Sequence, residues 1–220
     1  MTEALSPTSA EQFETPNTAS RMLGASAVGN LGKEKFTEIT MADLVDLRSK
    51  RLLGEFNDLE TEFKPKQREQ EAEARKRGKT PSPDQLATPR LIQRFVHAKV
   101  EQMKIELPEG SAFKTSIKTI PVGMVLDRVS SLRRERDSIV ETSKRPAYMR
   151  AQTREAMPIA ATNADKYPQL HFLGLLRKEF QDSGNPKYAI YTTELIIATA
   201  RTINSILNRP DAEQSESTPQ

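Results

Sequence analysis

From Thr40 onward the chain falls into a helical rhythm of apolar positions. Val45, Leu52 and Leu59 share one heptad position and Phe56 and Phe63 another, with Ser49 interrupting the second line. That pattern predicts a long helix with one stripe suited to packing against a neighbour. Thr40 and Asp43 stand at the spacing of a capping box, with Asp in place of Glu. Pro65 is expected to kink or end this helix. Beyond it, KQREQEAEARKRGK offers strong helix formers with almost no apolar side chain, and TPSPDQLATP reads as a linker.

Thr88-Pro89 has the form of an N-cap followed by proline in the first turn. The helix that follows gathers Leu91, Ile92, Phe95, Val96, Val100, Met103 and Leu107, and Pro108-Glu109-Gly110 closes it. AFKTSIKTI suits either a helical face or a short strand. Val122, Val125, Val129, Leu132 and Ile139 restore the 3–4 spacing, with Arg136 occupying a position where a core residue belongs. Residues 147–168 form a looser stretch. Leu170, Leu173, Leu176 and Phe180 then share a face, and QDSGNP makes a turn that ends in a second cap-plus-proline pair, Asn185-Pro186.

The last helix, roughly 186–208, is the most apolar, and between its ends the only charged residues are Glu194 and Arg201. With Lys187 they recur every seven residues and mark one narrow polar stripe. A helix of this kind is buried around most of its circumference, as the centre of a bundle or as a subunit contact. No internal repeat at a fixed period is present.

Composition narrows the fold class. Aromatics are 5 % of the chain, Trp is absent, and Pro outnumbers Gly by 14 to 9, all unlike a sandwich or barrel. The expectation is an all-α bundle of four to five helices over 40–210, with residues 64–87 a charged spacer and linker within it. Residues 1–39 read as a flexible N-terminal arm and 211–220 as an acidic tail. Ser/Thr-Pro steps, such as Ser6-Pro7 and Thr80-Pro81, fit loops and also the local pattern of proline-directed phosphorylation.

Charge sharpens the picture. Of the net +3, residues 1–39 contribute −2 and residues 211–220 −3, leaving +8 for 40–210. The whole of that excess lies in two windows: 64–79, with seven bases against three acids, and 128–154, with eight against three. The second prefers Arg to Lys by seven to one, and guanidinium forks suit phosphate oxygens. Its candidate anion-binding residues are Arg133, Arg134, Arg136, Lys144, Arg145, Arg150 and Arg154, with Tyr148 placed to stack on a base. A buried Arg136 needs an acid, whereas one in a cleft can take a phosphate. Lys64, Lys66, Arg68, Arg75, Lys76, Arg77 and Lys79 form a secondary basic cluster, partly offset by EQEAEA and loosely bipartite like a nuclear import signal.

Catalytic signatures are missing. Without Cys there is no thiolate nucleophile, thiolate metal site or disulfide. The two histidines, His97 and His171, lack ligand spacing, and His171 has only Asp165 and Glu179 near it in the chain. Phosphate-loop, dinucleotide, zincin and serine-elbow motifs are all absent. The longest apolar run, LIIATA, is too short to span a bilayer, and the first residues do not resemble a secretory signal.

The reading is therefore a non-enzymatic structural or assembly protein binding nucleic acid, RNA among the candidates, or another polyanion. A coat, nucleocapsid or packaging protein has this character, self-associating and without a cofactor or metal, in the cytoplasm, the nucleus or a virion. The alternative is a helical protein–protein adaptor using the Val45, Leu52, Phe56, Leu59 and Phe63 stripe.

Overall fold

The computed structural model describes residues 39–77 and 85–208. Among these the secondary structure is entirely helical, as the sequence predicts, with eight α-helices rather than four or five. The predicted long helix from Thr40 is two helices, α1 (Met41–Ser49) and α2 (Leu52–Lys76). The capping box forms: the Asp43 amide donates to Thr40 Oγ1 at 3.2 Å, and the Thr40 amide donates to Asp43 Oδ2 at 2.8 Å. The Thr40 hydroxyl, donating to Asp43 Oδ2 at 2.7 Å, and then the Thr40 amide hold the Asp43 carboxyl below its ordinary value. The ladder breaks at Arg51, where φ −130° and ψ 20° leave the helical region. Turning there lets Met41, Leu44 and Val45 of α1, and Leu52 and Phe56 of α2, all enter the core.

Pro65 does not end α2. Only one intrahelical donor is lost there, and it would serve the exposed turn at Thr61, whose carbonyl can be solvated instead. The charged spacer is thus helical as far as Lys76, with mostly exposed side chains. Helix α3 (Ala87–Glu106) also starts earlier than predicted, at Ala87, and Thr88 makes no cap bond. Pro89 falls within the first turn, where no amide finds an intrahelical acceptor, so the missing N–H costs little.

AFKTSIKTI resolves into the five-residue α4 (Ala112–Ser116) followed by extended chain. That extended segment is fastened by the Lys118 amide donating to the Lys166 carbonyl at 2.7 Å and by Gln169 Nε2 donating to the Ile120 carbonyl at 3.2 Å. Helix α5 (Val122–Asp137) buries Val125, Leu126, Val129 and Leu132. A 3₁₀ turn at Thr142–Lys144 leads into α6 (Arg145–Asn163). Periodicity alone leaves α6 a loose stretch because its fully buried positions are two alanines, Ala156 and Ala160.

Helices α7 (Gln169–Asp182) and α8 (Pro186–Leu207) form an αα-hairpin. Its turn is a Schellman motif: the Asn185 amide donates to the Phe180 carbonyl at 2.8 Å and the Gly184 amide to the Gln181 carbonyl at 3.2 Å. Gly184 sits at φ 74°, where a Cβ would be strained. Helix α8 is central, packing against α3, α5, α6 and α7. Its Leu195, Ile197 and Ile203 have no exposed surface, and each contributes about 1.5–3 kcal/mol by burial. No helix among the described residues is long and apolar enough to cross a membrane.

Candidate functional site

The narrow polar stripe of α8 faces the arginines of α5. Glu194 is only 1 % exposed. Arg133 donates to its Oε2 from Nε at 3.0 Å and Nη2 at 2.6 Å, while Arg136 Nη1 donates to Oε1 at 3.1 Å. Arg133 also donates to the Gln85 carbonyl at 2.6 Å and lies 5.3 Å from the centre of the Tyr191 ring. Asp137 takes a second bond from Arg136 Nε at 2.9 Å, which raises the arginine and holds the Asp137 carboxyl low. The position in α5 where a core residue belongs is thus filled by an arginine whose charge is met by a glutamate from the opposite wall.

Two turns further along α8 the pairing repeats. Arg201 Nη1 donates to Glu135 Oε2 at 3.1 Å and Nη2 bonds Gln152, while Tyr148 donates its hydroxyl to Glu135 at 2.5 Å. The Tyr148 hydroxyl, then Arg201, lowers the Glu135 carboxyl; burial, then Glu135, raises Tyr148. Three cations (Arg133, Arg136, Arg201) meet three anions (Glu135, Asp137, Glu194), so this seam is neutral.

The structure separates the predicted site residues. Arg133 and Arg136 belong to the seam, and Tyr148 packs its ring against the core. Arg145 donates to the carbonyls of Ile139 and Asp137, both at 3.2 Å, closing the α5–α6 connection, and Lys144 pairs with Glu141 at 2.6 Å. Among the described residues Arg134 reaches only Ser131 Oγ, at 3.3 Å. Arg150 and Arg154, one turn apart on α6, are exposed and have no carboxylate partner among the described residues. In the secondary cluster Lys64 pairs with Glu60 at 3.1 Å and Arg77 with Glu73 at 3.6 Å. Lys66, Arg68, Arg75 and Lys76 are exposed, and Lys79 lies outside the described residues. His171 Nε2 stands 3.7 Å from Asp165, beyond hydrogen-bond reach.

The adaptor stripe is divided as well. Val45, Leu52 and Phe56 are core, but Leu59 and Phe63 remain partly open. With Leu91, Phe95 and Ala98 of α3 they line a groove of about 480 Å³ between α2 and α3. Phe95 meets the fully buried Phe56 edge to face at 5.6 Å, and Phe56 meets Phe180 the same way at 5.3 Å. Tyr188, in edge contact with Phe180 at 5.3 Å, hydrogen-bonds Glu60; burial and then that carboxylate push its hydroxyl up to about 12. Interlocked rings of this kind hold the floor in a fixed shape. Arg90, Arg94 and Lys99 stand along the rim, with Lys99 closely paired to Glu55 and lying over Phe95.

The sequence marks the α2 side of this groove as the adaptor stripe, but not its α3 wall, because Leu91 and Phe95 read as core positions. The open end is visible only in retrospect, where the α2 stripe stops at Phe63 and meets basic residues. Glu194 was legible as one point of a seven-residue stripe, without its partners. Together these features define an all-α bundle with a neutral internal seam and an open apolar groove. Comparisons with family models, curated proteins and solved structures find no match to this chain.

Proposed function

We propose that this chain is a non-enzymatic helical interaction protein that docks a helical segment of a partner protein in the α2–α3 groove. The observation that carries the reading is the open apolar floor of Leu59, Phe63, Leu91 and Phe95, backed by rings already locked in place. A preformed floor avoids the ordering cost that weakens docking onto mobile surfaces. Helix-in-groove recognition uses apolar anchors at i, i+3, i+4 and i+7, a spacing that a channel between two helices accepts.

A second reading, an assembly protein binding nucleic acid through phosphates, is favoured by Arg150 and Arg154, which are exposed, one turn apart and without an acid partner among the described residues. Arg134 would extend that surface, while Arg133 and Arg136 already spend their donors on Glu194.

Binding of a fluorescent single-stranded RNA and of helical peptides, each titrated with salt, separates the two readings. Docking predicts peptide binding that Phe63→Ser abolishes and that a joint Arg134→Glu, Arg150→Glu, Arg154→Glu variant leaves intact. Phosphate binding predicts the reverse, with affinity falling steeply as salt rises. RNA binding lost in the triple variant, with no peptide binding, would replace the first reading by the second.

A further inference from the structure

The two ends of the α2–α3 groove carry different charge. At one end Lys99 is neutralised by Glu55. At the other, Arg94 of α3 is exposed with no carboxylate partner among the described residues. Helix α2 leaves the groove at Phe63 and continues into Lys64, already paired with Glu60, and then the exposed Lys66 and Arg68. The apolar floor therefore runs from a neutral mouth to a basic one.

Resting on the docking reading above, we propose that the occupant is an acidic amphipathic helix of a partner protein, with a carboxylate over Arg94. The α3 side of the groove extends from Arg90 to Gln102, which is about 18 Å at 1.5 Å per residue, or roughly three turns of occupant. Three turns present three or four apolar anchors to Leu59, Phe63, Leu91 and Phe95. A Glu or Asp flanking the last anchor then meets a guanidinium at the edge of an apolar wall, where pairing is less screened than on open surface.

Charge also argues against a second copy of this chain. Residues 40–210 carry a net +8, so another copy's helical body brings the wrong sign to a basic mouth. A nucleic acid would use the arginines and leave the apolar floor unmatched.

The test is a displayed library of helices about sixteen residues long. Core positions are randomised among Leu, Ile, Phe, Met and Ala, and flanking positions among Glu, Ser and Lys. It is selected on the full-length chain and, in parallel, on Phe63→Ser, Ala98→Trp and Arg94→Glu, each checked for helicity by circular dichroism. Ala98→Trp plugs the groove from an exposed position, so the test does not depend on how Phe63→Ser folds.

The expected result is enrichment of Glu flanks on the unaltered chain. Binding of the selected helices should fall at least tenfold in Phe63→Ser and Ala98→Trp, and Arg94→Glu should shift the selected flanks toward Lys. Binders that need the open groove but show no flank preference would overturn the acidic partner and leave docking standing. Selection unaffected by both groove variants, or no binders, would overturn docking itself. Self-association in sedimentation that Ala98→Trp abolishes would make a second copy the occupant, overturning the proposal.

Discussion

The α5–α8 seam and the α2–α3 groove both set arginines beside apolar and aromatic side chains, yet they differ in where the guanidinium donors go. In the seam Arg133 and Arg136 converge on one buried glutamate, and every charge has a counter-charge within the seam. In the groove Arg94 borders an apolar floor and no acid among the described residues faces it. The first arrangement holds two helices in register; the second leaves recognition chemistry exposed. Arginine density is therefore a poor guide to binding, and the state of each fork is a good one.

Several substitutions break or sharpen this contrast. The largest effect is expected for Phe56→Ala, which removes the buried ring that backs Phe95 of the groove floor. Urea unfolding should show a loss of about 3–5 kcal/mol, with peptide docking lost as well. Glu194→Gln removes the one carboxylate that Arg133 pairs with among the described residues and should cost about 3 kcal/mol. That value is at the low end because Arg136 keeps Asp137 and some contact with solvent. The groove variants should behave inversely, changing stability little while removing docking. A seam variant that abolished docking while still folded would erase the distinction.

Gln93 is fully buried, and neither of its amide atoms has a hydrogen-bond partner among the described residues. Gln93→Met should stabilise the fold by about 1 kcal/mol, raising the urea midpoint. The seam also has a pH signature. Glu135 is held below its ordinary value of 4.5, so its contribution is complete above that value and fades as pH falls through the lower folded value. Tyr148→Phe removes the first cause of that shift, so comparison of unfolding curves between pH 5 and pH 3 should show a shallower acid limb than in the unaltered chain. Smallest of all, joint replacement of Arg134, Arg150 and Arg154 by Glu should change stability by no more than about 0.5 kcal/mol per site. A larger loss would show these residues to be structural.

How much of this was legible in advance varies by element. The capping box at Thr40, the face of α5 and the buried character of α8 follow from spacing that local sequence displays. Helix α6 was obscured because alanines fill its contact positions, and small side chains carry almost no periodic signal. The break at Arg51 and the continuation through Pro65 depend on which turns face solvent. For the site, Arg136 in an apolar stripe and the Lys187, Glu194, Arg201 spacing were each visible alone. That they are two halves of one ion-pair seam follows only once α5 lies against α8.

The amino-acid sequence by itself determined the helical class, the identity of the central helix and the concentration of positive charge, because these depend on side chains a few residues apart. Tertiary structure alone decided which arginines were already satisfied and which apolar positions stayed open. Guanidinium forks, carboxylates and helix faces that meet in space come from segments dozens of residues apart, and the chain's local pattern holds no record of their pairing.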